Sequence, residues 1–160
     1  MMLNIRPTTA EDVPLILQFI RELAEYEKLA HAVVADEATL RGELFGAQPV
    51  AECVIAEYDG VAVGFALYFH NFSTFVGRRG LYLEDLFVKT EMRGKGIGKA
   101  LLVYLAQLAQ ARNCGRFEWA VLDWNEPSIN FYKSLGAEPM NEWTVYRLTG
   151  ETLEALASKH

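Results

Sequence analysis

Hydrophobic and polar positions along the chain follow two different spacings. Apolar residues that recur every three or four positions predict amphipathic helices, and apolar residues that alternate or form short β-branched runs predict strands. Pro14 belongs in a first helical turn, Asp36 is a capping residue, and Gly136 is a helix stop. The predicted helices are 13 to 26–28, 36–46, a long helix directly behind the loop 93–99, 127–135 and a tail helix at 151–157.

Turn residues separate the predicted strands. The Asp59-Gly60 pair lies between two β-rich runs and is a strong hairpin signal. Gly77 to Gly80 predicts a second turn. The predicted strands are 3–7, 53–58, 61–69, 81–88, 117–122 and 143–148. The order β-α-α-β-β-β-α-β-α-β predicts an α+β fold with a central mixed β-sheet flanked by helices. No linker or repeat divides the sequence, so we expect residues 1–160 to form a single domain.

Composition and charge exclude several classes of function. The chain is 51% hydrophobic and 22% charged, which is typical of a globular protein, and its net charge of −6 disfavours nucleic acid and suits a cationic ligand. The longest apolar run, 61–69, covers about half of the ~20 residues that a membrane helix needs. Cys53 and Cys114 are isolated, and the N-terminus lacks a signal-sequence pattern. We therefore expect a cytoplasmic protein with no metal and no contact with membranes or nucleic acid.

The glycine-rich loop from Arg93 to Lys99 joins a predicted strand to a predicted long helix. Glycines at 94, 96 and 98 let an anion approach the unpaired amides of the first helical turn, and Arg93, Lys95 and Lys99 add positive charge. The alternative is an ordinary glycine-rich turn.

Two common phosphate-binding motifs do not match this loop. A P-loop requires G-x-x-x-x-G-K-[ST], but Gly94 to Gly98 is one residue short and Ala100 stands where a Mg²⁺-binding hydroxyl belongs. The dinucleotide motif G-x-G-x-x-G would need glycine where Lys99 stands.

The pattern R-x-x-G-x-G at Arg93, Gly96 and Gly98, behind a strand and opening a helix, resembles the acetyl-CoA pyrophosphate loop of the GNAT superfamily of N-acetyltransferases. Four segments resemble its diamine (spermidine/spermine) N-acetyltransferase branch, which includes thialysine acetyltransferase-like members. They are ELAEYEKL at 22–29, YLEDLFV at 82–88, RGKGIG at 93–98 and WNEPSINFYKSLGA at 124–137. The resemblance covers nearly the whole chain and implies a GNAT-like fold and acetyl-CoA as cosubstrate.

The resemblance also implies a set of cofactor contacts. In this superfamily the two central parallel strands splay apart, and the pantetheine arm inserts between them. The implied cofactor residues are Leu86, Phe87 and Val88 through their backbone, the loop Arg93, Gly94, Lys95, Gly96, Ile97, Gly98 and Lys99, and Asn125, Glu126, Pro127 and Ser128 beside the arm.

Acetyl transfer to an amine requires that the amine lose a proton. A lysine-like amine has a pKa of ~10.4, so its neutralisation at pH 7 costs roughly 4–5 kcal/mol.

Glu84 and Asp85 interrupt an otherwise apolar predicted strand, and unpaired buried carboxylates are costly enough to indicate function. Strand alternation groups Glu84 with Tyr82 and Leu86, and Asp85 with Leu83 and Phe87. The structural alternative is a pair neutralised by basic residues at a sheet edge. By resemblance, Glu84 binds the cationic substrate and assists its deprotonation through water, and Asp85 is the weaker candidate.

The remaining candidates depend on the resemblance. Tyr132 shares a helix face with Ile129 and Leu135, which is the pattern of a core tyrosine, but it falls on the general acid of the family. A phenol of pKa ~10 can protonate a departing thiolate of pKa ~8.5 within hydrogen-bond reach. Tyr26 and Glu27 look like a solvated helix end, whereas matching residues of the family line the substrate channel. Glu142 is a looser substrate-binding candidate, because the loop before Trp143 is shorter than in the family.

The leading hypothesis is direct acetyl transfer from acetyl-CoA to a primary amine of a small cationic substrate, a polyamine or a thialysine- or lysine-like amino acid, in a ternary complex. The alternatives are a protein lysine or N-terminal acetyltransferase, and a CoA-binding module without catalysis. The resemblance further implies a homodimer, with 143–148 and the 65–75 hairpin as candidate contacts.

Overall fold

The computed structural model describes residues 2–159, which form two compact units that meet in sequence at Leu122 and Asp123. The first unit holds β1 (Leu3–Pro7), α1 (Val13–Tyr26), α2 (Glu37–Phe45), β2 (Glu52–Tyr58), β3 (Val61–Ser73), β4 (Arg78–Val88), α3 (Ile97–Ala111) and β5 (Phe117–Trp119). The second unit holds α4 (Glu126–Ser134) and α5 (Gly150–Ala157).

The five strands form one sheet in the order β1-β2-β3-β4-β5. The first four strands pair antiparallel and β5 pairs parallel to β4, so the sheet is mixed. The turn at Asp59-Gly60 has left-handed φ angles of 51° and 82°, as a tight hairpin requires. The predicted mixed sheet flanked by helices is therefore confirmed.

Helix α1 packs on one face of the sheet through an aromatic cluster. Phe19 stacks on Phe65 of β3 with ring centroids 5.5 Å apart, and it lies 6.2 Å from the ring of Phe87 of β4. Ile16, Leu23 and Ile55 complete this buried cluster. Helix α3 packs on the opposite face, where Tyr68 and His70 of β3 interact with Tyr104 and Arg112. The two helices thus fix the position of β4 from both sides.

A β-bulge interrupts the pairing of β3 with β4 at Glu84. Leu67 is opposite Asp85 and the next residue, Tyr68, is opposite Leu83, so Glu84 has no partner of its own on β3. The predicted grouping of Asp85 with Leu83 is wrong for this reason. Beyond the bulge Asp85 lies on the α1 face together with Phe87, whereas Leu83 pairs with Tyr68 on the α3 face.

The structure corrects two predicted strand boundaries and one predicted strand. β4 begins at Arg78, so Gly80 is a strand residue and not part of the turn. Gly80 packs so closely on Asn71 that a Cβ would collide with the Asn71 side chain. β5 ends at Trp119 and not at Leu122. The segment 143–148 forms no strand among the described residues. A β-rich sequence does not form a strand unless a neighbouring strand pairs with it through backbone hydrogen bonds.

Candidate active site

β4 loses its neighbour on one side halfway along its length. β5 pairs only with residues 81–83, so in the described part of the chain the stretch from Asp85 to Val88 is paired with β3 alone. The predicted cofactor residues Leu86, Phe87 and Val88 lie on this open edge. The Phe87 side chain is committed to the α1 cluster, so this residue can offer a ligand only its backbone. An extended chain with polar groups could pair with such an edge.

The glycine loop begins directly behind the open edge. Gly94 and Gly96 both have a φ of 80°, which other residues adopt at a cost, and a Cβ at either position would meet nothing within 4 Å. Gly96 precedes α3 without a side-chain cap, and the first helical hydrogen bond runs from the Ala100 amide to the Gly96 carbonyl at 3.0 Å. The amides of residues 97–99 therefore have no partner within the helix and lie at the positive end of a 15-residue helix. This donor set fits the pyrophosphate of acetyl-CoA.

Arg93 connects the glycine loop to the end of α1. Its Nε donates to the Val88 carbonyl at 3.1 Å, and its guanidinium lies 4.4 Å from the ring centroid of Tyr26. Lys95 similarly lies 5.7 Å from the ring centroid of Tyr58 at the end of β2. The structure thus brings together the predicted loop and Tyr26, one of the predicted substrate residues.

Glu27, Glu84 and Asp85 interact electrostatically near the same end of β4. Glu27 directly follows α1 and is half-buried, and burial and the charge of Glu84 raise the pKa of its carboxyl. Glu84 is exposed at the bulge. Burial, followed by the charges of Glu84 and Glu27, raises the pKa of Asp85 to about 7. Within residues 2–159 no group of three carboxylate, imidazole or thiol side chains is arranged to hold a metal ion.

Such an arrangement suits a cationic ligand. Burial and the charges of neighbouring carboxylates raise the pKa of Glu27 and of Asp85, and an ammonium group supplies the positive charge that relieves this repulsion. A carboxyl with a pKa near 7 can also exchange a proton at neutral pH. Both properties match the needs of a reaction that must bind a protonated amine and then deprotonate it.

Sequence reasoning undervalued Asp85 within this site. The position of Asp85 beside Glu84 was the available signal, but alternation without the bulge grouped it with both Leu83 and Phe87, and of these two Phe87 alone shares its face. The bulge depends on how β3 and β4 pair, which the local sequence does not specify.

The second unit carries the other predicted site residues. Asn125 caps α4, where its side chain accepts a hydrogen bond from the Ser128 amide at 3.4 Å, and Glu126 and Pro127 occupy the first turn. Tyr132 is half-buried on α4, with its ring centroid 5.7 Å from that of Phe131. Glu142 is exposed and lies outside every helix and strand.

Comparison with known proteins identifies the family of the chain. Residues 17–137 match the model of the acetyltransferase (GNAT) family. The chain is 41% identical to a thialysine N-epsilon-acetyltransferase of Sus scrofa, over 97% of both chains. It is 36% identical to the human spermidine/spermine N(1)-acetyltransferase-like protein 1, over 96% of this chain and 24% of that protein.

A solved structure extends the agreement to the fold. An integron cassette protein from the mobile metagenome of V. cholerae superposes with a TM-score of 0.82 at 31% identity, and the alignment covers 99% of each chain. The glycine loop, the open edge of β4 and these similarities lead to one conclusion: the chain is an N-acetyltransferase that belongs to the GNAT acetyltransferase family, in its diamine acetyltransferase branch.

Proposed function

We propose that the enzyme transfers an acetyl group from acetyl-CoA to a primary amine of a small cationic substrate, by direct attack in a ternary complex. The observation that carries the proposal is the carboxylate group of Glu27, Glu84 and Asp85 beside the open end of β4 and the glycine loop. Since burial and the charge of Glu84 raise the pKa of Glu27 and of Asp85, a substrate with positive charge gains affinity from this group of carboxylates.

The cofactor site of the proposal consists of the loop from Arg93 to Lys99 and the backbone of 86–88, with Asn125 to Ser128 beside the arm. When bound there, acetyl-CoA supplies an activated acetyl thioester. The amides at the start of α3 hold negative charge, and the glycines keep Cβ atoms out of its way.

The proton transfers of the proposal fall to three residues. Glu84 and Glu27 bind the ammonium group, with Tyr26 as part of the channel wall and Glu142 as a distal contact. Glu84, exposed to water, accepts the amine proton through a water molecule. Asp85 tunes this step, because its pKa of about 7 lets it lose or hold a proton as the substrate's charge changes. Tyr132 is the assigned proton donor to the departing thiolate.

The relatives support an amino acid with a terminal amine as the first substrate to test. The thialysine acetyltransferase is similar over its full length, whereas the spermidine/spermine acetyltransferase-like protein is similar over a quarter of its own. Polyamines follow as the second class, because they carry the same terminal ammonium group without a carboxylate.

The test is acetyl-CoA thiol release with thialysine, lysine, putrescine, spermidine, spermine and a basic peptide. We expect turnover on the small amines that falls at least 100-fold in Tyr132→Phe, as loss of a general acid typically costs. Tyr104→Phe is the matched control, since Tyr104 is likewise half-buried on a helix and lies outside the proposed site. Turnover on the peptide alone would indicate a protein acetyltransferase, and acetyl-CoA binding without any turnover would indicate a non-catalytic module.

We further propose that residues 1–160 act as one acetyltransferase domain, since the family match at 17–137 runs across the boundary between the two units.

The proposal includes a homodimer, because Trp143, Val145 and Tyr146 are large, apolar and at least 74% exposed. Light scattering on the purified protein measures its mass directly. The cytoplasm remains the proposed compartment, because Cys53 and Cys114 are isolated in the sequence and form no disulfide pattern.

A further inference from the structure

The far end of the β3–β4 hairpin holds an open depression that the acetyl-transfer site does not use. On the α3 face of the sheet the strand residues His70, Phe72 and Arg79 extend toward the turn, beyond the end of α3 at Ala111. The resulting depression has a volume of about 860 Å³ and is lined mainly by His70, Phe72, Arg78, Arg79, Arg112 and Asn113.

The depression concentrates positive charge on an acidic protein. Arg112 is held by Glu52 through two hydrogen bonds of 2.7 and 2.9 Å, and its Nη1 lies 3.3 Å from His70 Nε2. Arg78 donates to the neutral Asn113 side chain at 3.1 Å. In the part of the chain that the structure describes, no carboxylate forms an ion pair with Arg78 or Arg79. Three guanidinium groups therefore share one carboxylate, in a chain whose net charge is −6.

The pKa of His70 depends on this positive charge. Burial lowers the pKa of its imidazole, and the positive charges of Arg112 and Arg79 lower it further. Arginine pairs bind phosphate and carboxylate oxygens with their planar arrays of donors. An oxyanion in the depression would offset the field of these arginines and raise the pKa of His70.

An exposed aromatic ring adds a second contact of a different kind. Phe72 is 66% exposed, lies opposite Arg79 in the β3–β4 pairing, and lines the same depression. A planar ring stacked on a phenylalanine beside an arginine gains apolar burial and dispersion. The depression thus offers a platform for a ring next to donors for an oxyanion.

We propose that this depression binds a phosphorylated small molecule that carries a planar ring, the general type being a mononucleotide. It lies at the start of β4, whereas the glycine loop follows the end of this 11-residue strand, about 30 Å away at the usual rise per residue. The site is therefore separate from the acetyl-CoA site, and a ligand in it leaves the cofactor in place.

Titration calorimetry and the NMR signal of the His70 imidazole test the proposal with AMP, inorganic phosphate and adenosine as probes. We expect AMP to bind more tightly than phosphate or adenosine, to raise the pKa of His70, and to keep its affinity in saturating acetyl-CoA. Arg79→Ala and Arg78→Ala should each weaken AMP binding at least tenfold, and Phe72→Ala should reduce AMP to the affinity of phosphate. Arg41→Ala, an exposed arginine on α2, is the matched control and should retain the wild-type affinity.

Several results would overturn the proposal. They are no AMP binding at millimolar concentration, displacement of AMP by acetyl-CoA, equal affinity in Arg79→Ala, and tighter binding of a single-stranded oligonucleotide. The arginines would then have a structural role only, the stabilisation of the C-terminal end of α3 by their positive charge. In that case Arg79→Ala lowers the thermal midpoint, and the wild-type protein does not bind AMP.

Discussion

At the scale of single residues, Asp85 links the stability of the first unit to pH. Its pKa of about 7 in the folded protein exceeds the ordinary value of 3.8. Between these pH values the folded state binds more protons than the unfolded state, so protonated Asp85 raises the free energy of unfolding. This stabilising contribution is fully present below about pH 4 and is lost as the pH rises through about 7. The stabilisation lost is on the order of 2–4 kcal/mol, because each unit of pKa difference corresponds to ~1.4 kcal/mol.

Asp85→Asn tests this contribution, because the amide keeps the shape and removes the titration. We expect the difference in free energy of unfolding between pH 5 and pH 8, measured with urea, to shift by about 2–4 kcal/mol between the wild type and the variant. Comparing the two proteins removes the titrations they share, including that of Glu27, whose raised pKa acts in the same direction. Identical pH profiles would show that Asp85 is ionised at neutral pH.

Arg93 connects the proposed cofactor loop to Tyr26, a proposed substrate residue, through its position over the Tyr26 ring. A cation–π contact of this kind contributes about 0.5–1 kcal/mol, so Tyr26→Leu should raise KM for the amine about two- to fivefold. Tyr26→Phe keeps the ring and should change KM by less. Steady-state kinetics with each substrate varied in turn measures both effects. If Tyr26→Phe and Tyr26→Leu behave alike, the hydroxyl of Tyr26 and not its ring is the important group.

At the scale of elements, the start of α3 can be tested with two glycines that differ in backbone conformation. Gly96 has a φ of 80°, so Gly96→Ala should cost about 1–2 kcal/mol of stability. Gly98 has no left-handed φ, and a Cβ there would meet only a Val88 methyl group at 3.9 Å. Gly98→Ala should therefore stabilise the helix by up to about 1 kcal/mol.

The same pair separates structural roles from cofactor binding. In the proposed cofactor site the backbone at residue 98 approaches a phosphate, so the added methyl group of Gly98→Ala should raise KM for acetyl-CoA at least tenfold while the thermal midpoint is unchanged or higher. Thermal unfolding and KM are measured on the same preparations. A Gly98→Ala enzyme with wild-type KM would place the pyrophosphate elsewhere.

The elements with local signals were predictable from the sequence, and those that depend on pairing were not. The apolar spacing of α1, the cap at Asp36 and the turn at Asp59-Gly60 are set by neighbouring residues, and the structure confirms all three. The bulge at Glu84 and the missing strand at 143–148 depend on which strands lie side by side. Consequently the glycine loop was identified from its motif, whereas the environment of Asp85 required the fold.

At the scale of the whole molecule, the charges of the first unit are separated along β4. Arg78 and Arg79 begin the strand, and Glu84 and Asp85 lie in its second half, near Glu27. A net charge of −6 extends the negative field around the carboxylates into the solvent. In the proposed function this field attracts a cationic substrate before it contacts the site, and such long-range attraction is sensitive to salt.

The field should appear as a salt dependence that scales with substrate charge. Raising the ionic strength from about 0.01 M to about 0.15 M shortens the Debye length from ~30 Å to ~8 Å. We expect kcat/KM for a diamine to fall several-fold while kcat stays constant, and kcat/KM for a monoamine of similar length to fall less. Glu27→Gln should flatten the diamine profile, because it removes one of the charges that the second ammonium approaches. Equal salt slopes for diamine and monoamine would mean that the carboxylates contact only the reacting amine, and that substrate selection rests on the shape of the channel.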